Sequence, residues 1–392
     1  MPDVAPYVDY MRELLRGADG MLRMVSGKRK PWVVLVYLGL AVYVLLALVW
    51  MEEALAEEPF HGPVLRFAVS LARLTYSLIV RILMVLLGLV VLLLGYLIFN
   101  QRRLLYMPTI PGAARKVRDN PPGFRSPGDR SIPYEDVTMV TADKVKVHGW
   151  WLYHNGPDGK PEDPSQRLSW VYFHGNAGNI GFRLENLAMV HQKLGVNILI
   201  VDYRGYGDSD DHQPTEKGLI ADAIGALDWL DRKGVKQLII FGRSLGGAVA
   251  FALAEHMVKQ GRQPAGLIAE NTFVSVSKMA RSIFPFLKWL SWLLRPPAVF
   301  DDWNTAQRIV SMGRSAQFPI LFLGGQRDEI VPPVMMVQLN DLVTQHSAGR
   351  VHFEKFPNGT HNDTPLRDFE QYWRCMVYWH QLLTSPPTAA SG

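Results

Sequence analysis

Two uncharged apolar runs dominate the first hundred residues, 32–50 (WVVLVYLGLAVYVLLALVW) and 82–99 (ILMVLLGLVVLLLGYLIF). Each is close to the ~20 residues a helix needs to cross a bilayer. Trp32 and Trp50 sit at the ends of the first, where interfacial aromatics belong. Uncharged runs of this length rarely occur in water-soluble cores, and the first starts too late and runs too long for a cleavable signal. Both therefore predict membrane spans. Between them, 64–80 contains Arg66 and Arg73 and predicts an interfacial helix whose arginines reach headgroups. Upstream, Tyr7, Met11, Leu14 and Leu15 fall at helical spacing, as in a surface-lying amphipathic helix or a simple tether.

The pattern changes after residue 100. Pro108 to Pro133 is rich in Pro, Gly, Arg and Asp and has no apolar periodicity, which reads as linker. A β-hairpin follows over 135–153. Short apolar runs then recur at Trp170–Phe173, Asn197–Val201, Gln237–Phe241, Gly266–Ala269, Ile320–Leu323 and Val351–Phe356. Helical stretches near 181–194, 216–233, 245–259, 334–344 and 366–383 separate most of them. This alternation predicts a mostly parallel sheet with helices on both faces, an α/β domain. The predicted layout is an N-terminal tail over 1–31, a membrane anchor over 32–100, a linker over 101–133, the α/β domain over 134–384 and a disordered tail over 385–392.

Composition adds three limits. Hydrophobic residues make up 48% of the chain and charged ones 20%, but the apolar excess sits before residue 100, leaving the rest ordinary for a globular domain. The net charge of +5 is matched by 101–130 alone, with seven Lys/Arg and two Asp. Basic residues just after an apolar run are membrane-flanking charge, and no aromatic-interleaved basic motif points to nucleic acid. Cys375 is the only cysteine, so no internal disulfide forms, and no Cys/His spacing predicts a metal. Lys28, Arg29 and Lys30 precede the first span, four glutamates follow it, and Arg102 and Arg103 follow the second. That bias predicts a hairpin in an endomembrane or the plasma membrane, with both ends cytoplasmic; a single span would instead leave the domain lumenal.

The chemistry is expected where such sheets place it, at the carboxyl ends of their strands. Residues 242–246 read Gly-Arg-Ser-Leu-Gly, between an apolar strand and a helix-forming run. That context marks a nucleophile elbow, in which a strained turn lifts Ser244 clear of the sheet. A serine needs a base to take its proton and a carboxylate to hold that base. His361 lies in a turn-rich loop after the last strand and is the expected base. Asp328, just past Ile320–Leu323, is the expected acid, with Glu329 and Glu270 as competitors. His174-Gly-Asn-Ala-Gly-Asn179 follows the first strand of the parallel series, so the N–H groups of Asn176 and Leu245 are the expected oxyanion hole. A phosphate-binding glycine loop would need a Lys-Ser/Thr ending that is missing here. Asp202–Ser209 is expected to shape the floor of the site. This chemistry needs no metal or organic cofactor.

These residues resemble the α/β-hydrolase domain-containing protein 13 family and, more broadly, the bud-emergence-type membrane hydrolases. The matching blocks are LLYMP (104–108), FHGNAGNIG (173–181), VDYRGYG (201–207), FGRSLGGAVA (241–250), ENTF (270–273), IVPPVMM (330–336) and GTHNDT (359–364). The resemblance implies the α/β-hydrolase fold and the triad Ser244, Asp328 and His361. It also implies one membrane anchor with the domain on the far side, against the hairpin that the charges favour. Asn358-Gly-Thr and Asn362-Asp-Thr are glycosylation sequons flanking the expected base, where a glycan would block the site, so both read as unused.

The segment 272–300 lies where a cap would insert, and its Phe, Trp and Leu cluster fits a lid, a membrane-dipping helix, an acyl-chain pocket or a helix packed on the body. A lid beside an anchor predicts an acylated protein or lipid as substrate. The resemblance extends to membrane-associated depalmitoylases, which implies S-acylated protein, although this chain lacks their N-terminal cysteine cluster. The alternatives are a lipase-like lipid esterase and a catalytically silent membrane scaffold. A peptidase would usually carry a larger gating insertion.

Overall fold

The computed structural model describes residues 62–110, 114–283 and 299–384. The expected span 32–50, the 1–25 segment, the tail 385–392 and 284–298 of the cap lie outside them. The chain divides into two units, one reaching Gln101 and the other beginning at Arg102.

The first unit also takes in 289–300, and apart from Gly62, Val299 and Phe300 its described part is the greater part of a single helix, α1 (Pro63–Leu105). At 1.5 Å per residue, its 43 residues extend about 65 Å. The run 82–99 lies within it. The segment 64–80 is not a separate interfacial helix, as expected from its arginines, but the first part of α1. Neither Pro nor a helix-ending Gly separates the two. Leu74, Leu83, Leu86, Leu89 and Leu93 are exposed at positions around the helix, and α1 is long and apolar enough to cross a membrane.

The second unit is built on an eight-stranded sheet. Its strands are β1 (Tyr134–Val140), β2 (Lys146–Leu152), β3 (Ser169–Phe173), β4 (Asn197–Val201), β5 (Leu238–Arg243), β6 (Gly266–Glu270), β7 (Ile320–Gly325) and β8 (Val351–Phe356). Their order is β1-β2-β4-β3-β5-β6-β7-β8. The hairpin β1–β2 and the β2–β4 pairing are antiparallel, and every pairing from β4 to β8 is parallel. Alternation along the strands supplies a core on each face. Val171, Phe173 and Ile240 join one cluster, while Trp170, Tyr172, Ile239 and Phe241 join the other.

The helices are α2 (Leu184–Leu194), α3 (Glu216–Lys233), α4 (Leu245–Lys259), α5 (Val276–Ile283), α6 (Thr305–Met312), α7 (Val334–His346), α8 (Thr364–Arg367) and α9 (Phe369–Thr384). α3 shows why its ends are where they are. Thr215 Oγ1 accepts from Gly218 N–H at its start, and Gly234 takes the left-handed conformation that ends it. The start of the expected cap, α5, packs on the body. Val276 N–H donates to Asp302 O and Ser277 N–H to Asp302 Oδ1, both at 2.8 Å. The 101–133 stretch contains two short 3₁₀ turns, Val117–Asp119 and Pro127–Arg130, and Val117, Asn120 and Ile132 are buried.

Candidate active site

The parallel topology delivers the motif residues to one end of the sheet. β5 leads directly into Ser244, β7 into Asp328 and β8 into His361. Ser244 has φ 53° and ψ −121°, a conformation costly for a residue with a side chain. The turn closes so tightly that a Cβ on Gly242 would lie 2.1 Å from Gly246 O, and one on Gly246 would lie 2.0 Å from Phe173 O. Two bonds hold the serine backbone there. Ser244 N–H donates to Glu270 O at 2.9 Å, and Thr272 Oγ1 donates to Ser244 O at 2.7 Å.

His361 Nε2 lies 3.0 Å from Ser244 Oγ, and its Nδ1 lies 2.8 Å from Asp328 Oδ2. All three residues are buried. The other Asp328 oxygen, Oδ1, accepts from Ile330 N–H at 2.9 Å and Val331 N–H at 2.7 Å. This leaves Oδ2 for the ring. With Nδ1–H donating to Asp328, Nε2 faces the serine as an acceptor. The two competing acids are engaged elsewhere. Glu329 accepts from the His361 backbone N–H at 3.2 Å, not from its ring. Glu270 lies 3.2 Å from Arg243 Nε and accepts from Tyr372 Oη at 2.6 Å.

Leu245 opens α4, so its N–H is among the first-turn donors without an intrahelical partner. Asn176 lies in the loop after β3. Its carbonyl accepts from Met107 N–H and from Tyr206 Oη, each at 2.9 Å, and its amide Nδ2 donates to Leu105 O at 3.0 Å. None of these bonds uses its backbone N–H. The loop borders the nucleophile, since a Cβ on Gly175 would lie 3.6 Å from Ser244 Cβ. Its His174 is fully buried, and burial first, then the Arg183 charge, push its pKa down to about 3, so it stays neutral. Tyr203 Oη donates to His174 O at 2.9 Å, which ties the Asp202–Ser209 stretch to the loop.

Three positioning groups carried no signal of their own in the sequence. Asn271 donates from Nδ2 to the carbonyls of Thr360 and His361 and to Thr364 Oγ1, each at 3.1 Å, and its Oδ1 accepts from Gly325 N–H at 2.8 Å. Arg243 Nη2 donates to His361 O at 2.5 Å. Met107 forms a one-residue parallel bridge with Ala177. All three lie in the motif blocks, yet their partners are mostly backbone groups far away in sequence. Among the described residues one group, His352, Glu354 and Cys375, brings metal-ligand atoms within 4.8 Å of one another. It shares no residue with the Ser244 site, and burial pushes the Cys375 thiol up to about 12, holding it protonated.

Comparison with known proteins shows the family and the fold. A family model described as serine aminopeptidase, S33, matches residues 164–300. The bem46 protein of Schizosaccharomyces pombe is 34% identical, over 70% of this chain and 84% of its own length. An uncharacterised membrane protein of Saccharomyces cerevisiae is 36% identical, over 70% of this chain and 86% of its own. The chain belongs to the bem46-type family of α/β-hydrolase-domain proteins. A lysophosphatidylserine lipase of Danio rerio is 31% identical to this bem46-type chain, over 57% of it and 60% of the lipase. Among solved structures, an esterase of Pyrococcus furiosus superposes with a TM-score of 0.52 at 19% identity, covering 72% of this chain and 98% of the esterase. The α/β-hydrolase fold is thus shared, and the chain is a hydrolase-family protein with an apolar helix fit to anchor it.

Proposed function

We propose that this bem46-type chain is a membrane-anchored serine hydrolase that cleaves acyl esters or thioesters. One observation carries the reading: the unbroken line from Asp328 through His361 to Ser244, at 2.8 and 3.0 Å, on a serine whose backbone is strained outward. Ser244 Oγ attacks the acyl carbonyl while His361 Nε2 takes its proton. Asp328 keeps the ring in the required tautomer and stabilises its charged form. The N–H groups of Asn176 and Leu245 hold the developing oxyanion, and loss of one such donor typically costs ~3 kcal/mol in the transition state. His361 then protonates the leaving group, and water activated by the same base frees the acid from Ser244.

The apolar length of α1 supports a substrate met at a bilayer, and S-acylated protein is the substrate we favour. The body faces the cytoplasm on this reading, as the Lys/Arg bias around the apolar runs favours. A lipid ester is the second reading, favoured by the relative named as a lysophosphatidylserine lipase. The test compares fatty-acid release from a palmitoyl-cysteine peptide and from a lysophospholipid by the full chain in detergent, with Ser244→Ala beside it. Release that Ser244→Ala abolishes supports the hydrolase, and the preferred substrate decides between the two readings. Equal release by the variant overturns it, and no release by folded wild type on either substrate favours the silent scaffold.

A further inference from the structure

A cavity of about 370 Å³ opens between α2 and α9, on the flank of the Ser244 site. Its wall holds three arginines, Arg130, Arg183 and Arg243, and one acid, Glu185. Their charges are not balanced alike. Arg243 is matched by Glu270, with Nε 3.2 Å from Oε1, and its Nη2 bonds His361 O and Asn362 Oδ1. Arg183 has no such partner. Its Nη2 donates to Ala177 O at 3.0 Å, its Nε is buried without a hydrogen bond, and no ion pair among the described residues includes it. Arg130 Nε donates only to Gly123 O, at 3.2 Å, and exposed Glu185 pairs with none of the three.

The neutral groups on this wall are unmet as well. Tyr172 Oη and Asn186 Oδ1 are buried without a well-formed hydrogen bond, and as polar partners the two side chains have only each other close by. A largely buried cation without an ion-pair partner is costly, as is a buried donor without an acceptor. Burial first, and then the Arg243 charge, lower the pKa of Arg183, a penalty that a bound anion would relieve. Guanidinium and hydroxyl donors converging on one space suit a tetrahedral oxyanion with several acceptor atoms. Apart from Gln192 and Asn362, the rest of the wall is apolar, with Phe182, Phe369 and Trp373.

We propose that this cavity binds a phosphate group, with Arg183 as its principal ligand and Arg130 and Tyr172 as further donors. The apolar wall takes what the phosphate is attached to. Through Arg243, which touches both the cavity and the His361 carbonyl, the bound anion adjoins the loop that carries His361. The site does not rest on Ser244 being a nucleophile.

The test is isothermal titration of the full-length Ser244→Ala chain in detergent, a background in which nothing is turned over by that serine. The probes are inorganic phosphate, hexanoyl lysophosphatidic acid and uncharged monohexanoylglycerol. Binding of both phosphates but not of the glycerol ester is expected, with Arg183→Gln weakening it at least about tenfold and Arg130→Gln severalfold. Lysophosphatidic acid binding tighter than phosphate assigns a lipid headgroup, and equal affinities assign free phosphate. Phosphate binding unchanged in a normally melting Arg183→Gln chain, or absent throughout, overturns the proposal. Should Arg183→Gln not fold, unchanged binding in Arg130→Gln overturns it.

Discussion

Asp328→Asn isolates the role of one oxygen. In the native site Oδ1 accepts from two backbone N–H groups, at 2.9 and 2.7 Å, while Oδ2 faces His361 Nδ1 at 2.8 Å. Asparagine has nearly the same shape but one acceptor end and one donor end. With its oxygen kept under the two N–H groups, its NH₂ faces Nδ1. The ring proton is then forced to Nε2, where it points at Ser244 and cannot serve as a base. Turning the amide over restores the right tautomer but sets the NH₂ against two backbone donors. Each buried donor left unmet costs about 1–3 kcal/mol, so the productive form lies about 2–6 kcal/mol uphill. At about 1.4 kcal/mol per decade, reaction with a fluorophosphonate slows roughly 30- to 10⁴-fold. The assay is the second-order rate of probe inactivation at neutral pH, with a melting curve to show that the fold is intact. A normally melting Asn variant within about threefold of wild type refutes the assignment of Asp328.

Three further outcomes follow from the same geometry. Gly246→Ala puts a Cβ 2.0 Å from the Phe173 carbonyl oxygen, a backbone atom that cannot step aside, so a loss of about 3 kcal/mol is expected and an unchanged urea midpoint contradicts it. Asn271→Ala frees the His361 loop from three hydrogen bonds and the end of β7 from a fourth, and should lower kcat with KM held, and an equal rise in KM would point to substrate binding instead. His191 stacks on His154 with ring centroids 3.8 Å apart, and its pKa is pressed from 6.5 to about 4, by burial first and His154 next. The unfolded chain then holds more protons in that window, so the stability is full above pH 6.5 and is lost as pH falls toward about 4. In His191→Gln, urea midpoints measured across this window should depend less on pH, and an unchanged slope contradicts the attribution.

The sheet was legible because buried parallel strands are short apolar runs between turn residues, and β3, β4 and β5 have that form. Helices with long amphipathic stretches were legible too. α6 was not, since in eight residues only Ile309, Met312 and Thr305 are buried and the period never establishes itself. The continuity of α1 was hidden by Arg66, Arg73 and Arg81, which interrupt the apolar run without interrupting the helix. In the site, Ser244, Asp328 and His361 were legible from strand-end position and chain order. The groups that aim them were not. Asn271 and Arg243 act on carbonyls some ninety or more residues away in the chain, and a backbone partner leaves no mark on the sequence.

The claim that Ser244 is a nucleophile activated by His361 is tested most directly by mapping a fluorophosphonate adduct. Membranes bearing wild type, Ser244→Ala and His361→Ala are labelled, digested and read by mass spectrometry. The account predicts an adduct on Ser244 in wild type, none anywhere in Ser244→Ala and a severely reduced amount in His361→Ala. An adduct on another residue, or Ser244 labelled as fast without His361, contradicts it.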